Sequence, residues 1–152
     1  EQTNQPRGTT MTMSQMSLTQ QFAAVATGLI FLTALLTGVW KWRRMMDSPT
    51  HLAPPYVDIA HRAALFYSFA GLLVWHFAGW SVWPEAVNLV GAILLFAFFI
   101  IAIAAYIALG YRNQTDNQFK ERNFNTPTGT LLLAIAEIVG FLILFSGTLA
   151  GL

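Results

Sequence analysis

Four long apolar stretches constrain the fold of this chain more than any other feature. A helix needs about 20 apolar residues to cross the hydrocarbon core of a bilayer, which is about 30 Å thick. The stretches that meet this length lie at about residues 22–40, 59–79, 86–110 and 128–152. Their apolar residues run continuously instead of alternating with polar ones, which excludes transmembrane β-strands. The sequence therefore predicts an all-α integral membrane protein, a bundle of four transmembrane helices.

The composition agrees with this prediction. Of the 152 residues, 55% are hydrophobic and 10% are charged, whereas soluble domains carry roughly 25% charged residues. The net charge of +1 is too small to indicate a nucleic-acid-binding protein. The absence of cysteine excludes disulfides, iron–sulfur clusters and thiolate metal sites. We therefore expect a transmembrane domain over residues 22–152, with the lipid bilayer as its main partner, preceded by a polar segment over residues 1–21.

The distribution of Lys and Arg predicts the orientation of the helices. The first and third loops, residues 41–58 and 111–127, share one side of the membrane and contain six Lys or Arg residues. The other side has only Arg7. The positive-inside rule places both loops in the cytoplasm and both termini outside, as in a bacterial inner membrane protein.

Four side chains within the predicted spans are candidates for a functional site. An ionisable group in a bilayer costs about 2.5–3.5 kcal/mol on insertion scales and marks function by default. His61 is either a haem or metal ligand or an interfacial histidine bonded to water. Glu137, about 13 Å from the cytoplasmic end of the last span, is either a neutral acid that bonds across helices or a group with a direct role. Tyr67 and Tyr106 approach from the same side, so we expect all four side chains, and any ligand pocket, in the inner half of the bundle.

Other polar residues have simpler interpretations. His76 lies about 22 Å beyond His61 along the helix, so the two cannot ligate one iron in a single chain, and we expect His76 in the outer aromatic belt. Asp58 is predicted to cap the second helix and to pair with Arg62. The amide-rich third loop either covers the inner mouth of the bundle or is solvated.

Small residues four apart allow helices to approach closely. Such pairs serve either ordinary packing within the chain or a specific contact between chains. The sequence contains three of them: Ala24 with Gly28, Ala136 with Gly140, and Gly147 with Gly151.

This pattern resembles the styrene oxide isomerase family, small four-span bacterial membrane enzymes that hold haem b. His61 stands where that family has a haem-ligating histidine near the start of the second span. Tyr106, 45 residues further on, stands where the family has an active-site tyrosine. The triplet Asn117-Gln118-Phe119 matches an Asn-Gln-Phe triplet in the following loop. The resemblance covers helices two and three and the loop after them, about half of the chain.

The chain departs from the family at four points, one of which is a shorter stretch between Tyr106 and the triplet. Tyr67 replaces an asparagine about two turns after the histidine. The third span lacks the family's aspartate, and Glu137 has no counterpart. The resemblance therefore favours a haem-binding bundle more strongly than epoxide isomerisation.

The resemblance implies haem b held by His61, with ferric iron acting as a Lewis acid in the opening of a small apolar epoxide to a carbonyl compound. Tyr106 would then be catalytic, and Tyr67 and Glu137 are further catalytic candidates. The alternative is a non-catalytic accessory subunit of a larger respiratory or oxidoreductase complex, suggested by the short loops and few polar groups. In either case we expect a homo-oligomer or a subunit of a membrane complex.

Overall fold

The computed structural model describes residues 15–120 and 125–152. It contains four α-helices within this part of the chain, and no strand: α1 (Leu18–Met46), α2 (Pro55–Trp80), α3 (Glu85–Arg112) and α4 (Asn125–Leu149). Each of the four is long and apolar enough to cross a membrane. The prediction of an all-α bundle of four membrane-spanning helices is confirmed. Arg7 and most of the polar segment 1–21, together with Arg122 of the third loop, lie outside the described residues.

Helix α1 is longer at both ends than its predicted span, residues 22–40. The hydroxyl of Ser17 accepts a hydrogen bond from the backbone N–H of Gln20 at 3.2 Å, and the Gln20 side chain accepts one from the N–H of Ser17 at 3.3 Å. This capping box starts the helix inside the predicted polar segment. At the other end, Arg43 and Arg44 lie in the last turn, where cations stabilise the helix dipole.

Helix α2 begins earlier than predicted, and the prediction that Asp58 caps it is wrong. Pro54 is the residue before the helix and Pro55 is its first residue, a position that suits the fixed φ of proline. Asp58 therefore lies in the first turn. It pairs with Arg62 at 3.0 Å, as predicted, and also with Lys41 of α1 at 2.6 Å, which ties the two helices together.

The helices pack in an order that makes α2 and α3 central. Helix α1 packs along α2, α4 packs along α3, and α2 and α3 pack against each other, whereas α1 and α4 scarcely meet. We call the end with the first and third loops the inner end, and the end with the α2–α3 turn the outer end. Much of the core consists of small residues such as Ala23, Ala64 and Ala92, all fully buried, because small side chains let helix backbones approach.

Glycines mark the contacts of α4 with the rest of the bundle. A Cβ atom on Gly140 would lie 2.8 Å from the carbonyl oxygen of Gly91 in α3. At the outer end, the N–H of Val82 donates to the carbonyl of Gly147 at 3.1 Å. The predicted small-residue pairs of α4 therefore serve packing within the chain. Gly28 of α1 is different, because a Cβ atom there would meet nothing within 4 Å.

Candidate functional site

His61 faces α1 and is held there by a backbone carbonyl. Its Nδ1 atom lies 2.9 Å from the carbonyl oxygen of Ala34. Its ring lies against Gly38, where a Cβ atom would come within 3.0 Å of the His61 Cε1 atom. Glycine at this position therefore makes room for the imidazole between the two helices.

The hydrogen bond to Ala34 determines which ring nitrogen of a neutral His61 carries the proton. A carbonyl oxygen only accepts hydrogen bonds, so Nδ1 must donate. The Nε2 atom then has an unprotonated lone pair, the form in which histidine binds a metal. Because His61 is only half-buried, its side chain keeps some exposed surface.

A second group of polar side chains lies between α2, α3 and α4. The hydroxyl of Tyr67 interacts with the carboxyl group of Glu137, and Tyr106 interacts with both. The ring of Tyr67 is stacked on Phe99 of α3, with centroids 4.2 Å apart and an interplanar angle of 14°. The structure therefore brings together three of the four predicted site residues. Their proposed catalytic roles stay predictions.

Tyr56 extends this group to the inner end of the bundle. Its ring is stacked on that of Tyr106, with centroids 6.3 Å apart. Its hydroxyl accepts a hydrogen bond of 2.5 Å from the backbone N–H of Gln118 in the third loop. The middle residue of the predicted Asn-Gln-Phe triplet is thereby fixed over the inner end of α2. Residues of the loop between Asn113 and Lys120 also line an open polar cavity of about 350 Å³.

His61 does not point in the same direction as the other three candidates. It packs on α1, whereas Tyr67 packs on α3 and α4. Six residues of helix separate them, which places their side chains about 120° apart around α2. The expectation that all four side chains converge is therefore met by Tyr67, Tyr106 and Glu137 and not by His61.

Glu137 is deeper than its predicted helix start implied. Because α4 begins at Asn125 and ends at Leu149, Glu137 is its central residue, about 18 Å from either end. Tyr67 is likewise central in α2 (Pro55–Trp80). The pair thus lies at the middle of the bundle, whereas Tyr106, Tyr56 and, on the α1 side, His61 lie in its inner half.

Two apolar grooves open between helices at the surface. One, of about 580 Å³, lies between α1 and α2 and includes Gly28, Phe69 and His76. The other, of about 420 Å³, lies between α1 and α3. Because the first groove reaches His76 near the outer end, it departs from the expectation that pockets lie in the inner half. In the described part of the chain, neither groove is lined by the four candidate residues.

His76 is exposed among aromatic side chains near the outer end, as an aromatic belt requires. Its ring lies 4.9 Å from that of Trp75 and 5.4 Å from that of Trp80. Its Nδ1 atom lies 2.8 Å from the carbonyl oxygen of Leu72, one turn earlier in the same helix. His76 is therefore tied within its own helix, unlike His61.

Sequence reasoning missed Tyr56 and Gly38 as parts of these sites. Tyr56 follows two prolines in what was predicted to be a loop, so its place in the helix was hidden. Gly38 differs from Gly28, the other glycine of α1, in having a side chain that faces it, which the local sequence does not reveal.

Among residues 15–120 and 125–152, no three His, Cys, Asp or Glu side chains form a group that could hold a bare metal ion. Haem needs only one protein ligand, so this finding does not bear on it. Comparisons with protein-family models, curated proteins and solved structures found no match for this chain.

Proposed function

We propose that this integral membrane protein binds haem b through the Nε2 atom of His61. The observation that carries the proposal is the hydrogen bond from His61 Nδ1 to the carbonyl oxygen of Ala34. Histidines that ligate metals almost always donate their other ring N–H to a carbonyl, a carboxylate or water, which fixes the ring and raises the basicity of the ligating nitrogen. The resemblance to the styrene oxide isomerase family points to the same residue.

The surroundings of His61 fit this role. Gly38 leaves space for the ring on one side, and the half-buried side chain remains accessible. When bound, haem would supply an iron centre suited to electron transfer or to polarising an oxygen atom of a bound molecule.

The visible absorption spectrum of the purified protein tests the proposal. We expect a Soret band from protein produced in haem-replete cells, and its loss in the variant His61→Ala. His76→Ala is the matched control, because His76 also bonds a backbone carbonyl through Nδ1 but lies in another part of α2. A colourless wild-type protein, or equal loss of haem in both variants, would overturn the assignment.

We extend the proposal to an isomerase of small apolar epoxides with Tyr67, Tyr106 and Glu137 as hydrogen-bond donors to the substrate oxygen. Tyr67 and Tyr106 both interact with Glu137, and a neutral carboxyl group and two hydroxyls are all donors. Because His61 faces another side of α2, the geometry supports haem binding more directly than isomerisation. The test is conversion of styrene oxide to an aldehyde by wild-type membranes, with Tyr106→Phe expected to lose activity while haem content is unchanged.

A second candidate function is that of an accessory subunit in a larger membrane complex. It is favoured by α4, which leaves most of its large apolar side chains exposed, among them Leu131, Ile135, Ile138 and Leu142. Co-purification with larger membrane subunits at fixed stoichiometry would support it. A homo-oligomer that is stable and active by itself would contradict it.

A further inference from the structure

Glu137 is a carboxyl group at the centre of the bundle that has no cationic partner in the described part of the chain. Its Oε1 atom is buried and has no hydrogen-bond partner among the described residues. The ion pairs of the described chain involve Asp58 and Asp116 and do not include Glu137. A carboxylate at this depth without a counter-ion carries a large desolvation cost. A neutral carboxylic acid at this position avoids that cost.

A series of three tyrosines connects Glu137 with the inner end of the bundle. We call Tyr67, Tyr106 and Tyr56 the tyrosine series. Tyr67 interacts with the carboxyl group through its hydroxyl, Tyr106 interacts electrostatically with both, and Tyr56 is stacked on Tyr106. The Tyr56 hydroxyl reaches the backbone of the third loop at Gln118. Hydroxyl groups thus occur at successive depths from the centre of the membrane to its inner surface.

The two turns of α4 that follow Glu137 towards the outer end are apolar. One turn beyond Glu137, Phe141 packs with Phe145 and with Phe77 of α2, with ring centroids 5.3 and 5.7 Å apart. Leu144 in the same stretch is completely buried. Phenylalanine and leucine side chains neither donate nor accept protons, and the first α4 hydroxyl group on this side is that of Ser146, near the outer end.

We propose that Glu137 is a proton-binding site that exchanges its proton with the inner side of the membrane along the tyrosine series. Each tyrosine oxygen would accept a proton while its own proton passes to the next acceptor, so the hydroxyls end unchanged and the net movement is one proton to or from Glu137. Among the described residues, two titratable groups act on it: Tyr67 through its hydroxyl group and Tyr106 electrostatically. His61 packs on α1, so this exchange does not depend on haem binding.

Infrared spectroscopy of the full-length protein in lipid tests the site. A protonated carboxyl group has a carbonyl stretch separate from the amide bands, and it shifts when the proton is replaced by deuterium. We expect such a band in the wild type and its absence in Glu137→Gln. Glu85→Gln is the control and should retain the band, because Glu85 is exposed at the outer end of the bundle and accepts hydrogen bonds from Thr19 instead of lying at its centre.

The rate at which the carboxyl band shifts after transfer of the protein into D2O tests the proton path along the tyrosine series. Tyr106→Phe removes one hydroxyl of the series and should slow the exchange about tenfold or more. Tyr111→Phe removes a hydroxyl from a side chain that is 82% exposed and should have no effect. Phe141→Leu alters the apolar outer side and should not slow the exchange.

Three results would overturn the proposal. They are the absence of the carboxyl band in the wild type, an unchanged exchange rate in Tyr106→Phe, and equal slowing in Phe141→Leu. A second measurement needs no variant: an apolar carbodiimide, which reacts with protonated carboxyl groups in the membrane, should label Glu137 and leave Glu85 unlabelled. Labelling of Glu85 alone would also contradict the proposal.

Discussion

The imidazole ring of His61 lies against Gly38 of α1, where a Cβ atom would approach its Cε1 atom to 3.0 Å and its Nδ1 atom to 3.3 Å. These separations are shorter than ordinary van der Waals contact. A side chain at position 38 would therefore push the ring away from the position in which it makes its 2.9 Å hydrogen bond to Ala34. The contact therefore joins the packing of α1 and α2 to the orientation of the proposed haem ligand.

The variant Gly38→Ala should weaken haem binding without unfolding the bundle. The new methyl group displaces the imidazole by a few tenths of an ångström, and disturbing the second hydrogen bond of a metal-binding histidine costs about 10–100-fold in affinity. Haem titration of the apoprotein, followed by absorbance, measures the effect. Gly28→Ala is the matched control on the same helix, since a Cβ atom there meets nothing within 4 Å. Equal haem affinity in both variants would contradict the prediction.

Substitution of Gly140 should destabilise the packing of α4. A Cβ atom there would lie 2.8 Å from the carbonyl oxygen of Gly91 and 2.9 Å from the Cγ atom of Leu95. Gly140→Ala should therefore lower the free energy of unfolding by about 1–3 kcal/mol. Unfolding in mixed micelles, followed by circular dichroism, gives this quantity. Gly129→Ala, in the same helix but with no atom within 4 Å of its Cβ, should be neutral or slightly stabilising.

Glu85 should stabilise the outer end of α1. Its Oε1 atom accepts hydrogen bonds from the backbone N–H of Thr19 at 2.6 Å and from the Thr19 hydroxyl at 2.5 Å. A carboxylate at a helix N-terminus satisfies an unpaired N–H and interacts favourably with the helix dipole. Glu85→Ala should therefore lower the free energy of unfolding by about 1 kcal/mol.

Hydrogen exchange of the first turn of α1 measures this effect locally. Faster exchange of the Thr19 amide in Glu85→Ala is the expected result. The same change in Asp47→Ala, at the opposite end of α1, would show that the effect is not specific to Glu85.

The contact between Asp116 and Lys120 in the third loop should depend on pH only in the acidic range. The hydrogen bond of 2.7 Å from Lys120 Nζ lowers the pKa of Asp116 below its ordinary value. A carboxyl group whose pKa is lowered in the folded state contributes its interaction above the unfolded pKa and loses it as the pH falls through the folded pKa. The Asp116–Lys120 contact should thus persist at neutral pH and break only in acid below the usual aspartate range.

Carboxyl carbon chemical shifts give the pKa of Asp116 directly. Lys120→Gln removes the positive charge and should return this pKa toward its ordinary value. An Asp116 pKa that does not respond to this substitution would contradict the assigned cause.

The number and class of the helices could be predicted from the sequence, since hydropathy is a property of each segment by itself. The predicted ends of the helices were less accurate, because the residue at which a helix begins or ends depends on its capping residues. The capping box with Gln20 starts α1 inside the predicted polar segment, and Pro55 starts α2 inside the predicted first loop. The shift of the α4 start to Asn125 then placed Glu137 at the middle of the bundle.

The candidate residues also came from the sequence, because each is a polar group in an apolar segment. The spacing of His61 and Tyr67 even gives the angle between them around α2. The spacing does not show which neighbouring helix each of the two side chains faces. That neighbour is α1 for His61 and α3 with α4 for Tyr67.

By itself, the sequence determined that four apolar helices span a membrane and that a few polar side chains lie within them. The cost of burying polar groups in lipid acts on each segment separately, so it can be evaluated residue by residue. Only the tertiary structure decided which polar groups meet, because that depends on the order in which helices pack and on where glycines let them approach. The same packing separates His61 from the tyrosines and places Tyr67 beside Glu137.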